Sequence, residues 1–135
     1  MPTSSAFVAD PDLLEELEKR ARPIDLGSNR VLFRQGDAPV GVYLLRKGTA
    51  RLTSRAAGEA VLKVQAGAGS LLGVPAVIGA KPYSLTAEAM EGAEVSVLTS
   101  DYFVHLMHTE PMLSFRVLQV LAEEVRFARE AFAQV

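Results

Sequence analysis

Cysteine is absent from this chain of 135 residues, which excludes a thiol nucleophile, a disulfide framework and a cysteine-ligated metal, and fits a reducing cytoplasmic setting. Histidine is scarce. His105 and His108 are the two present, three apart in one short predicted helix, so no convergent imidazole set is expected and no metal or other cofactor is assigned. Neither sign of charge is in excess: 14 basic and 16 acidic residues give a net charge of −2, and the two signs are mixed along the chain. That lacks the electrostatic footprint of a nucleic-acid binder. No apolar run approaches the length of a membrane span, and the first twelve residues lack a basic region followed by a hydrophobic core, so neither membrane attachment nor a secretory signal is expected. There is no G-x-S-x-G elbow and no sequence-visible base for Ser84, so catalysis is not expected either.

What remains is a length suited to one domain with a single core. Residues 1–9 are small and polar and are expected to fray. Asp10 caps a helix with Pro11 in its first position and Leu13, Leu14 and Leu17 on its apolar side, ending near Arg22 before Pro23. Its charges, Glu15, Glu16, Glu18, Lys19 and Arg20, have the i, i+4 spacing of a solvated face.

From Ile24 the period changes to two. Apolar segments at Val31–Phe33, Val42–Leu45, Ala50–Thr53, Ala60–Val64, Ser84–Ala89 and Glu94–Leu98 are separated by Gly-containing turn signals. Six to eight short strands at this spacing predict a mostly β domain with helices, an antiparallel sandwich or barrel over residues 10–109, the economical form being an eight-stranded antiparallel jelly-roll barrel, the double-stranded β-helix. In the segment after Tyr83, either the Ser84 and Thr86 face or the Leu85, Ala87 and Ala89 face lines the interior.

The glycine-rich stretch from Gly67 to Ala89 interrupts these strands. Gly67, Gly69, Gly73 and Gly79 either supply tight turns or, with the short apolar run around Pro75, aim backbone N–H groups at an anion; their spacing does not fit a dinucleotide fingerprint. Beyond it, Thr99 or Ser100 caps a brief helix over Asp101–His108, and Pro111 begins a long one reaching Phe132. Leu118, Leu121, Val125, Ala128 and Phe132 recur along it as a heptad seam. Residues 110–135 are therefore expected to form a homodimer helix, the alternative being a helix folded back on the barrel; Met112, Phe115 and Val117 are expected to pack on the barrel.

This order of parts resembles the cyclic-nucleotide-binding domain of the catabolite-activator and FNR class of regulators. The resemblance rests on Leu32-Phe33-Arg34-Gln35-Gly36-Asp37, on Val42 to Gly48, and on Gly69-Ser70-Leu71-Leu72-Gly73 leading into Lys81-Pro82-Tyr83-Ser84-Leu85-Thr86-Ala87, and covers about Asp10 to Val135. It implies a non-catalytic sensor with candidate ligand contacts at Gly73, Val74, Pro75, Ala76, Lys81, Tyr83, Ser84 and Thr86. Two charged anchors of the class are missing. Val74 stands where the class has a ribose-binding glutamate, and Tyr83 where it has a phosphate-binding arginine, so cyclic AMP or cyclic GMP is expected to bind weakly or not at all. The regulators of the class continue into a helix-turn-helix that is not found here, so no direct nucleic-acid binding is expected; the expected partners are a small molecule, a second copy and an unidentified effector protein. A ligand-free self-association module is the alternative function, and a true cyclic-nucleotide receptor a lesser one. An open interior beside Gly73, Tyr83 and Ser84 favours the sensor.

Overall fold

The computed structural model describes residues 3–133, with side chains described over 4–130. Two residues, Thr3–Ser4, form β1, and helix α1 spans Pro11–Glu18. The Asp10 carboxylate accepts a hydrogen bond from the Leu13 N–H at 2.9 Å, Pro11 occupies the first turn, and Leu13 and Leu17 are fully buried. The helix stops four residues short of Arg22, because Arg22–Pro23 instead form strand β2 and pair with Val97 and Ser96. Strands β3 (Val31–Phe33), β4 (Gly41–Lys47), β5 (Ala50–Ala56) and β6 (Glu59–Ala66) follow. Then come β7 (Leu71–Leu72), α2 (Val74–Gly79), β8 (Thr86–Ala89), β9 (Glu94–Thr99), α3 (Ser100–Thr109) and α4 (Pro111–Ala133).

The strands make two sheets, β1-β6-β5-β8-β3 and β2-β9-β4-β7, rather than a closed barrel. All four edge strands are two or three residues long and offer too few ladder bonds to join one sheet to the other. Every described pairing is antiparallel except β1 with β6, where Thr3 lies opposite Gln65 and Ser4 opposite Ala66. The expected fraying over residues 3–9 is thus corrected. Phe7 and Ala9 are each 5% exposed, and the Phe7 carbonyl accepts from the Leu71 N–H at 2.8 Å; a two-residue strand anchored by one buried ring leaves no periodic signal.

Strand β4 separates two regions of core. Tyr43 and Leu45 face the space between the sheets, with Phe33, Leu52, Val64 and Leu72, while Val42 and Leu44 face outward onto the helices, with Leu13, Leu17, Phe103, Val117 and Val120. Both faces of β4 are therefore covered, which is why it reads as an unbroken apolar run. Each fully buried leucine contributes about 1.5–3 kcal/mol relative to an exposed one.

Candidate functional site

Gly73 turns the chain from β7 into α2 with φ at 92°, a left-handed conformation that a side chain rarely adopts. A Cβ there would lie 3.0 Å from Tyr83 Cε1 and 3.2 Å from the Gly41 carbonyl oxygen. Gly73 therefore leaves room for an aromatic ring. Tyr83 fills it: its ring stacks on Phe33 with centroids 3.9 Å apart and planes 15° apart, and the residue is 2% exposed.

The Tyr83 hydroxyl donates to the Gly41 carbonyl at 2.7 Å and accepts from the N–H groups of Val40 and Gly41, each at 3.1 Å. Backbone thus occupies the phenol's donor and both of its acceptor positions. Behind Phe33, burial holds the Tyr43 phenol above its ordinary pKa, with a smaller contribution from Tyr83.

Above this turn, α4 crosses the open side of the inter-sheet space. Phe127 meets Phe7 edge to face with centroids 5.8 Å apart, which seats the C-terminal half of the helix on the segment linking β1 to α1. Between helix and sheets lies a cavity of about 340 Å³, of the size that holds small organic molecules. Its floor includes Phe33, Leu52, Leu72 and Tyr83, its rim Gly73, Pro75, Ala76 and Ser84, and its roof Leu121, Glu124, Val125 and Ala128. Apolar side chains dominate this lining. Among the described residues its polar side chains are Ser54, Ser84, Glu124 and the already committed Tyr83, with no Lys, Arg or His.

Of the expected ligand contacts, Gly73, Pro75, Ala76, Tyr83 and Ser84 meet at this cavity and three others do not. Val74 is fully buried on the opposite side of α2, in the cluster that includes Leu98 and Phe103. Lys81 is exposed beyond the end of α2. Thr86 is turned to the outer face of β8, where its hydroxyl accepts from the Gln35 N–H at 2.9 Å. The inward set of β8 is Ala87 and Ala89, continued by the cavity-lining Leu85; Ser84 reaches the cavity because it precedes the strand and escapes its alternation.

Glu124 was not anticipated. Its Oε2 is enclosed and has no hydrogen-bond partner, and burial pushes the carboxyl up to about 8. Alone it reads as one more charge on a long helix. The available signal is its register: Val117, Leu121 and Ala128 stand seven, three and four positions away on the same side of α4.

The heptad seam is divided. Leu121, Val125 and Ala128 line the cavity, Val125 with 51% of its surface still exposed, whereas Leu118 is 59% exposed and outside the lining; the Phe132 side chain lies outside the described residues. Val117 is buried as expected, but Met112 and Phe115 are 69% and 60% exposed instead of packing on the sheets, because Leu113, Val117 and Val120 take the inward face. His105 and His108 are exposed on α3. Among the described residues no three His, Asp or Glu side chains gather as a metal site, and no helix is long and apolar enough to cross a membrane.

The model of the cyclic nucleotide-binding domain family matches residues 23–110. The chain is 29% identical over 123 residues to the transcriptional activator protein anr of Pseudomonas aeruginosa, covering 90% of this chain and 49% of that protein. The same identity and coverage relate it to the transcriptional activator FnrA of Stutzerimonas stutzeri. The chain thus spans about half the length of these curated relatives. In fold it superposes on the catabolite activator protein of Thermus thermophilus with a TM-score of 0.76 at 21% identity, covering 92% of this chain and 59% of that one. These relatives correct the expectation that nucleic acid is not a partner. They are transcriptional activators, and the charge balance on which the expectation rested describes only the half that is matched.

Proposed function

Because the chain belongs to the cyclic nucleotide-binding domain family, we propose that it is the non-catalytic, ligand-sensing part of a cytoplasmic transcriptional regulator, and that its ligand is not an ordinary cyclic nucleotide. The observation that carries this is the cavity of about 340 Å³ beneath α4, lined among the described residues without a single cation and bordered by the turn at Gly73. A cyclic phosphate placed there meets no guanidinium or ammonium, and a charge-assisted hydrogen bond of that kind contributes roughly 1.5–3 kcal/mol, about tenfold or more in affinity. Tyr83 has no free hydrogen-bonding position with which to compensate. Val74, turned away from the cavity, offers nothing to a ribose.

The open interior disfavours a module that merely self-associates, since Tyr83 occupies only the floor of the space and Val74 none of it. Occupancy is read out by α4. Its cavity-lining residues Leu121, Glu124, Val125 and Ala128 share one helix with the exposed apolar residues Phe115 and Leu118, so a ligand that re-seats the first set repositions the second. The exposed set is where a second copy docks, and Leu118→Asp gives monomers in light scattering while leaving the cavity intact.

A thermal-shift screen tests the sensor reading, because a ligand that binds the folded chain stabilises it by mass action. Millimolar cyclic AMP and cyclic GMP are expected to leave Tm within about 1 °C, whereas compact apolar compounds raise it. A dissociation constant below about 1 μM for either nucleotide overturns the exclusion.

A further inference from the structure

Glu124 is the ionisable side chain in the cavity whose hydrogen bonding is left open, and this determines what the cavity accepts. Its Oε2 is shut off from water and meets no donor among the described residues. The other ionisable side chain in the lining is Tyr83, whose hydroxyl is held by Val40 and Gly41. Around them stand the rings of Phe7, Phe33 and Phe127, with Leu52, Leu62 and Leu72.

A buried oxygen without a donor is costly, and the cost is recovered by any ligand that brings the donor with it. An anion brings no donor to that oxygen and meets no cation among the described lining residues. Ser54 and Ser84 supply weaker, neutral contacts at the edge.

We propose that Glu124 is the recognition residue of the cavity and selects a compact, flat, apolar molecule bearing a cationic or donor-rich nitrogen group, such as an amidine or aminoheterocycle. This rests on the sensor reading above. The ligand's ring system lies among Phe7, Phe33 and Leu72, and its N–H edge pairs with the carboxylate. The carboxyl is protonated in the empty domain at neutral pH, since burial pushes it up to about 8. Pairing with a cation expels that proton to solvent, so uptake of one cation releases one proton.

The test is isothermal titration of the folded chain and of Glu124→Gln with three probes of similar shape: 2-aminobenzimidazole, indole and 2-naphthoate. At pH 7, 2-aminobenzimidazole is expected to bind best, with an enthalpy that differs between phosphate and Tris buffers by the ionisation of about one proton. Glu124→Gln is expected to weaken it at least tenfold, abolish the buffer dependence and leave indole unchanged. Binding of 2-naphthoate as tight as that of 2-aminobenzimidazole, or equal binding of 2-aminobenzimidazole by both proteins, overturns the assignment of Glu124 while leaving the sensor reading in place. If none of the probes binds either protein, the cavity is not a ligand site and both readings fall. Glu124→Asp, which keeps the carboxyl on a shorter stem, is expected to restore part of the buffer dependence that Gln loses.

Discussion

Two halves of one helix do different work. In the first half of α4, Leu113, Val117 and Val120 are 8%, 1% and 4% exposed, packed with Phe103 and Leu106 of α3 and Leu13 and Leu17 of α1. In the second half, Leu121, Glu124 and Ala128 roof an open cavity, and Phe127 makes a ring contact with Phe7. Where side chains interdigitate without voids, geometry is fixed. Where they overhang a void, two seatings of the helix lie closer in energy, and a ligand can choose between them. The change of character at Leu121 thus divides a packed half from an overhanging half within a helix that is continuous in backbone, and under the sensor reading proposed above the second half is the responsive one.

Perturbing the two halves separately is expected to expose this contrast. Phe103→Ala, in the filled region, is expected to lower stability by about 3–5 kcal/mol, read from urea denaturation. Leu121→Ala, which only enlarges an existing hole, is expected to lower it by about 1–2 kcal/mol, mainly lost transfer energy. Equal losses would erase the distinction between the halves.

The pH dependence comes next in size. Folded, Glu124 holds its proton up to about pH 8, whereas in the unfolded chain it ionises near 4.5. Unfolding therefore releases a proton between these values, and stability falls as pH rises through that window and levels above it, by a few kcal/mol at most. Glu124→Gln is expected to flatten the fall in a series of thermal melts. Glu16, lowered by its hydrogen bonds with Arg20 and Lys19, acts in the opposite sense as pH falls below 4.5, outside this window.

Smaller effects test the cavity floor and the packed side. Tyr83→Phe strips three hydrogen bonds from Val40 and Gly41 and is expected to cost about 1–3 kcal/mol with the Phe33 stack retained. Asp10→Ala, which removes the α1 cap and the 2.9 Å contact with Arg116 of α4, is expected to cost about 1 kcal/mol, measured by the same denaturation.

Much of this architecture is legible in the residues, and the exceptions have physical causes. Strands β3 to β6, β8 and β9 announce themselves as short apolar or alternating segments between turns such as Lys47-Gly48 and Ala57-Gly58, and α1 by Asp10 and Pro11. Strands β1, β2 and β7 are two residues each, shorter than any period, and exist through long-range pairing alone. The seam along α4 is a real apolar pattern, yet a helix at the margin of a core has neighbours on more than one side, and spacing does not say which residue meets which. Glu124 was hidden for the same reason, because a carboxylate is assumed to face water until a roof is placed over it.

The parallel pairing of Thr3–Ser4 with Gln65 and Ala66 fixes the segment that follows it, and there Phe7 holds Phe127. The opening residues behave as a latch on the far half of the last helix. Trimming the polypeptide at Asp10, the natural place to cut on the strength of its first helix, would release that latch and leave the lid hinged at one side only. A chain beginning there would keep the packed half of the helix and lose the ring contact that holds the other half.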